Sequence, residues 1–134
     1  MSRIFAGIAL SGSVLLLHAC ATHAPAADDG LEKKLAQQGY RQDGSVQRIQ
    51  NYRIDGWNFV DDTHLVFTAG PSRDYLITTL TPCTALRGAD QIGFTSTGQE
   101  VTTLDKIVVR AIGFTDQCPI KAIDELKRVK KESK

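Results

Sequence analysis

The sequence predicts a mainly β domain, α+β at most: a small twisted antiparallel sheet or barrel-like unit of five to six strands, with short N- and C-terminal helices. Three observations lead there. Short runs rich in β-branched and aromatic residues recur along the chain: GWNFV, HLVFTAG, RDYLITTL, QIGFTS, EVTTL and DKIVVRAIGF. Turn formers separate several of them, as in Asp61-Asp62, Gly70-Pro71-Ser72 and Thr97-Gly98-Gln99. Apolar residues at helical spacing occur only near the two ends of residues 31–134.

The first residues stand apart from that domain. Arg3 precedes an apolar stretch, residues 4–17, interrupted by Gly7, Ser11, Gly12 and Ser13. A membrane span needs roughly 20 apolar residues, whereas the core of an export signal needs about 7 to 15. Residues 1–19 are therefore expected to be a signal peptide. Leu17-His18-Ala19-Cys20 resembles the lipobox of bacterial lipoproteins, with His18 departing from the usual small residue and Ala19 meeting the stricter position before the cut. The resemblance implies transfer of diacylglycerol to the Cys20 sulfur, cleavage before it, and acylation of the new amine. Ordinary cleavage nearby, leaving Cys20 a free thiol in a soluble periplasmic or secreted protein, is the alternative. Residues 20–30 then read as a lipidated tether, with Pro25, several alanines and Asp28-Asp29, too poor in apolar surface to fold alone. Ala21 resembles the residue found in lipoproteins sorted to an outer membrane, which implies its periplasmic face as the location.

Residues 31–134 form one domain with a basic tail. DDGLEKKLAQQGY predicts a short helix, capped by Asp28 or Asp29, with Leu31 and Leu35 on one face and Gly39 as its stop. RQDGSVQ reads as a turn-rich connector. GWNFV and HLVFTAG flank the Asp61-Asp62 turn, and RDYLITTL follows the turn at Gly70. QIGFTS and EVTTL are expected to form a further hairpin. DKIVVRAIGF is the most apolar strand. After Pro119, KAIDELKRVKK has Ile120, Ile123 and Leu126 at helical spacing and cationic residues at its end, which predicts a helix; a final strand, CPIKAI, competes with it.

Three cysteines cannot all pair in one molecule. With Cys20 assigned to the anchor, Cys83 and Cys118 are expected to form a structural disulfide in an oxidising compartment. No C-x-x-C argues for redox chemistry and no nearby His for metal binding, so no cofactor or metal is expected. Sixteen Lys and Arg against 15 Asp and Glu give no global field favouring nucleic acid. The terminal KRVKKESK reads as a solvated tail, with contact to anionic lipid as the lesser reading.

Four segments together resemble a known family: W-x-F-V-D-D with H-L-V-F, R-D-Y-L-I-T-T-L-x-x-P-C-x-x-L, V-x-x-L-D-K-I, and C-P-I-K-A-I. The family is an uncharacterised domain of unknown function found in small exported proteins, many of them lipoproteins of Gram-negative bacteria. The likeness covers about residues 49–126. It supports export and the disulfide, and implies no reaction.

The catalytic motifs G-x-S-x-G, Walker A and H-E-x-x-H are absent. His64 is the one His in the domain, since His18 and His23 lie in the leader and tether. Asp61, Asp62 and Asp105 could converge with His64 for acid–base hydrolysis; the simpler reading has Asp61-Asp62 in a turn and Asp105 capping a loop or pairing with Arg73 or Arg87. Trp57, Phe59, Phe67, Tyr75 and Phe94 could line a groove, although aromatics at strand spacing are more often core. Trp57 and Tyr75, which carry polar atoms, are the better surface candidates, with Asp105 beside them. The expected function is a lipid-anchored, non-catalytic binding or structural module. Its partners would be the membrane and an envelope protein or cell-wall component; a small envelope hydrolase using Asp61, Asp62, His64 or Asp105 is the rival.

Overall fold

The computed structural model describes residues 28–131. One helix, α1 (Asp29–Gln38), is followed by strands β1 (Tyr40–Val46), β2 (Arg48–Gln50), β3 (Gly56–Asp61), β4 (His64–Thr68) and β5 (Asp74–Thr79). A 3-10 turn η1 (Thr84–Gly88) leads to β6 (Gln91–Phe94), β7 (Glu100–Thr102), β8 (Lys106–Ala111) and the long β9 (Phe114–Arg128). The main sheet is antiparallel, runs β3-β4-β5-β9-β8-β6 with β1 also on β9, and curls into a half-barrel. The mainly β expectation holds.

Local chemistry sets the elements that the sequence makes plain. Asp28 caps α1 by accepting from the Gly30 amide, and Gly39 ends it at φ 86°, the left-handed geometry that glycine adopts without strain. Leu31 and Leu35 pack on Val66, Leu76 and Leu126 beneath the helix. The opposite face of the sheet builds the main core around Leu65, Phe67, Ile77, Ile107, Val109 and Ile123. Tyr52, Phe67 and Phe94 meet there edge to face, with centroids 5.0 to 6.2 Å apart.

Three expectations are corrected. The tail after Pro119 is strand, not helix: β9 pairs with β8 through Cys118 and Pro119, then with β5 and β1 through its second half. Its helical-looking spacing has a physical cause. A register shift opposite Thr78/Thr79 resets the alternation, so Ile120 and Ile123 both face the main core. Leu126 faces the other way, under α1. RQDGSVQ is likewise not a connector but most of β1, whose residues are nearly all exposed and which is held by backbone bonds to β9 across a bulge at Gln42/Gly44. Finally, β6 and β7 do not form a hairpin. β6 pairs with β8, while β7 pairs with β2 in a separate ribbon that presses fully buried Ile49 against Val101 over the core. The path β3-β4-β5-β9-β8-β6 has six strands, as expected of the sheet, and β1 and the β2–β7 ribbon are added to it.

Cys83 and Cys118 are disulfide-bonded, both nearly fully buried, 35 residues apart in sequence and 5.9 Å apart at Cα. The bond fastens the β5–η1 connection to the middle of β9.

Candidate functional site

The β3–β4 turn places Asp61 and His64 together. His64 Nδ1 lies 2.7 Å from Asp61 Oδ1, and the Thr63 amide and hydroxyl donate to the same oxygen at 3.0 and 3.1 Å. Lys34, from α1, donates to Oδ2 at 2.7 Å. Four donors thus occupy both oxygens, and the group acts as a hub joining the helix to the turn. Partial burial pushes the Asp61 carboxyl up, but the bonds from Lys34, His64 and Thr63 outweigh it and hold the group well below the usual carboxylate range. A carboxylate so stabilised is a weak general base. The same bond raises the Lys34 ammonium above its ordinary value.

The other candidate carboxylates are not brought to this cluster. Asp62 accepts from Arg87 Nη2 with both oxygens at 2.9 and 2.8 Å, while its carbonyl accepts from the Cys83 amide. Asp105 accepts from the Thr102 amide at 2.8 Å and the Thr102 hydroxyl at 3.0 Å, closing the β7–β8 turn. Each carboxylate satisfies backbone or side-chain donors of its own turn or its neighbour, as Asp commonly does. Among the described residues no group of three His, Cys, Asp or Glu is placed to hold a metal.

Trp57 is half-buried on edge strand β3 and packs against the main core. Tyr75 lies elsewhere, on β5, with its ring in the core and only 7 % of the residue exposed. It lines two adjoining surface clefts, of about 240 and 440 Å³, where the start of β5 meets β1, β2 and the end of β9, a region termed the mouth. Arg73 and Glu125 line both clefts with it. The register explains this convergence, since Tyr75 stands opposite Glu125 in the β5–β9 ladder. Sequence reasoning missed Glu125, because the tail was expected to be helical, and considered Arg73 only as a partner for Asp105.

Arg73 also organises the mouth. Its Nη1 donates to the Gln50 carbonyl, and its Nη2 to those of Asn51 and Ala69, all at 2.7 Å. These bonds pin the β2–β3 loop against the β4–β5 turn, where Gly70 at φ 139° lies against the guanidinium. A third cleft, of about 260 Å³, runs between α1 and β1 and is lined by Leu35, Ala36, Tyr40 and Val129. Cys20 and the tether up to residue 27 lie outside the described residues. No helix among the described residues is long and apolar enough to cross a membrane.

Compared with known proteins, the chain matches over residues 1–134 the model of a family described as "Family of unknown function (DUF6491)". No curated protein and no solved structure matches it.

Proposed function

The chain belongs to the DUF6491 family, and on that premise we propose that it is a lipid-anchored bacterial envelope protein acting as a non-catalytic binding module. Cys20 is its attachment point, on the periplasmic face of the outer membrane, and the mouth is its binding face. The observation that carries the binding role is the pair of adjoining clefts sharing Arg73, Tyr75 and Glu125. Concave sites with a few convergent polar groups are where small domains place ligands. The buried disulfide fits an exported chain, and a tether raises the local concentration of a partner in the same compartment.

The hydrolase alternative has less support. Asp61 and His64 are in contact, yet neither lines any of the clefts described above, and both Asp61 oxygens are occupied by donors. Photo-crosslinking in intact cells tests the binding role. A photoreactive residue replacing Ser72, on the rim of the mouth, is expected to capture an envelope component that one replacing Asp116, at the start of β9 and outside both clefts, does not. Equal capture at both positions contradicts a binding face at the mouth.

A further inference from the structure

We infer that the mouth takes a small zwitterion: an amino acid or short peptide with both a free ammonium and a free carboxylate. The inference rests on the binding role proposed above and adds the ligand's chemistry. The ion-pair pattern around the two clefts is what points to it. Asp43 is paired with Lys127 at 2.8 Å, Arg48 with Glu100 at 3.3 Å, and Asp74 with Arg128 at 2.6 Å. Those rim charges neutralise one another or a neighbour. Among the described residues, Arg73 and Glu125 are the cleft-lining charges without an ionic partner, and no oxygen of Glu125 comes within 4.0 Å of an Arg73 nitrogen.

One cation and one anion without an ionic partner among the described residues therefore line the same clefts, together with Tyr75. A lone anion approaching Arg73 meets repulsion from Glu125, and a lone cation approaching Glu125 meets Arg73; a ligand with both charges satisfies both. Arg73 spends three of its five N–H donors on carbonyls, which fixes the guanidinium in place and leaves an Nη1–H for a ligand carboxylate, the Nε–H lying on another edge of the group. Glu125 accepts an ammonium, and the Tyr75 hydroxyl can donate to the carboxylate. Clefts of about 240 and 440 Å³ suit one or two amino-acid residues.

Saturation-transfer NMR on the mature full-length protein in detergent tests this with alanine, alanyl-alanine, N-acetyl-alanyl-alanine and alanyl-alanine amide. The free dipeptide or the free amino acid is expected to bind, the stronger of the two telling whether a peptide end or a single residue is preferred. Acetylation and amidation are each expected to weaken binding by about tenfold, equivalent to about 1.4 kcal/mol. Capping the carboxylate probes Arg73 without disturbing the loop it holds. Glu125→Gln, at an exposed position, should weaken the free dipeptide by a similar factor, strengthen rather than weaken the acetylated one by relieving its repulsion, and keep the melting temperature of the parent. Equal binding of capped and free dipeptides overturns the inference, as does the absence of any signal at millimolar ligand. Cross-linking at Ser72 without any zwitterion signal would refute the ligand class while leaving the binding face standing.

Discussion

Opening the Cys83–Cys118 bond should remove a large part of this domain's stability. The bond closes a loop of 35 residues that contains η1, β6, β7 and β8. In the chain-entropy treatment, a loop of that length restricts the unfolded chain by about 13 cal/mol/K, or about 4 kcal/mol at 25 °C. Small domains hold about 5 to 15 kcal/mol in total, so the loss is a major fraction. The native contacts need change little, because both sulfurs sit in the core at 2 and 4 % exposure. Urea unfolding followed by the fluorescence of Trp57, the one tryptophan of the chain, measures the effect with and without reductant. The Cys83→Ala/Cys118→Ala variant is expected to match the reduced protein. Stability should fall by about 3 to 5 kcal/mol, and the melting temperature by about 15 to 20 °C for a domain of this size. A loss below about 1 kcal/mol would refute the loop-closure reasoning. Native thiols that react freely with a thiol reagent would refute the bond itself.

Three further perturbations test the packing and the polar anchors. Phe67→Ala empties the centre of the aromatic trio at a position with no exposure, and should cost about 3 to 5 kcal/mol in the same denaturation assay; a cost under about 1 kcal/mol would mean that the trio is not the core's centre. Asp74→Ala removes a buried carboxylate that accepts from the Thr68 hydroxyl at 2.7 Å and from Arg128 Nε at 2.6 Å, and should cost about 2 to 3 kcal/mol. The effect should survive added salt, which screens surface pairs but not buried ones. Asp61 links stability to pH: its folded value lies below the unfolded one, so its contribution is complete above the ordinary carboxylate range and is lost as pH falls toward the folded value. Wild type should therefore exceed Asp61→Asn in stability at neutral pH, with the gap narrowing only in acid below about pH 4; a constant gap down to about pH 2 would contradict the hub.

Much of the fold was legible where chemistry is local. The cap at Asp28, the stop at Gly39 and the Asp61-Asp62 and Gly70-Pro71 turns announce themselves in short stretches of chain, and the structure follows them. Illegibility begins where pairing is non-local. β1 is made of Gln, Asp, Gly and Ser with hardly any buried side chain, so the backbone of β9 makes it a strand rather than any pattern of its own. The bulge in β9 keeps Ile120 and Ile123 on the same core face while Leu126 turns to the other, which gives an alternating strand an apparently helical spacing. The same misreading hid Glu125, whose place at the mouth depends on being opposite Tyr75. Tyr75 was visible as an aromatic with a polar atom on a strand. Of the three carbonyls that fix Arg73, that of Ala69 is close along the chain, but those of Gln50 and Asn51 lie 23 and 22 residues back and leave no trace near it.

The proposal that this domain works while tethered to a membrane comes down to one atom, the Cys20 sulfur. Mass spectrometry of the N-terminal peptide from protein purified out of the membrane fraction reads it directly. The account predicts a mature chain that begins at Cys20 and carries diacylglycerol on its sulfur and an acyl group on its amine. A mature chain that begins elsewhere, or one that retains Cys20 as an unmodified thiol, would contradict it.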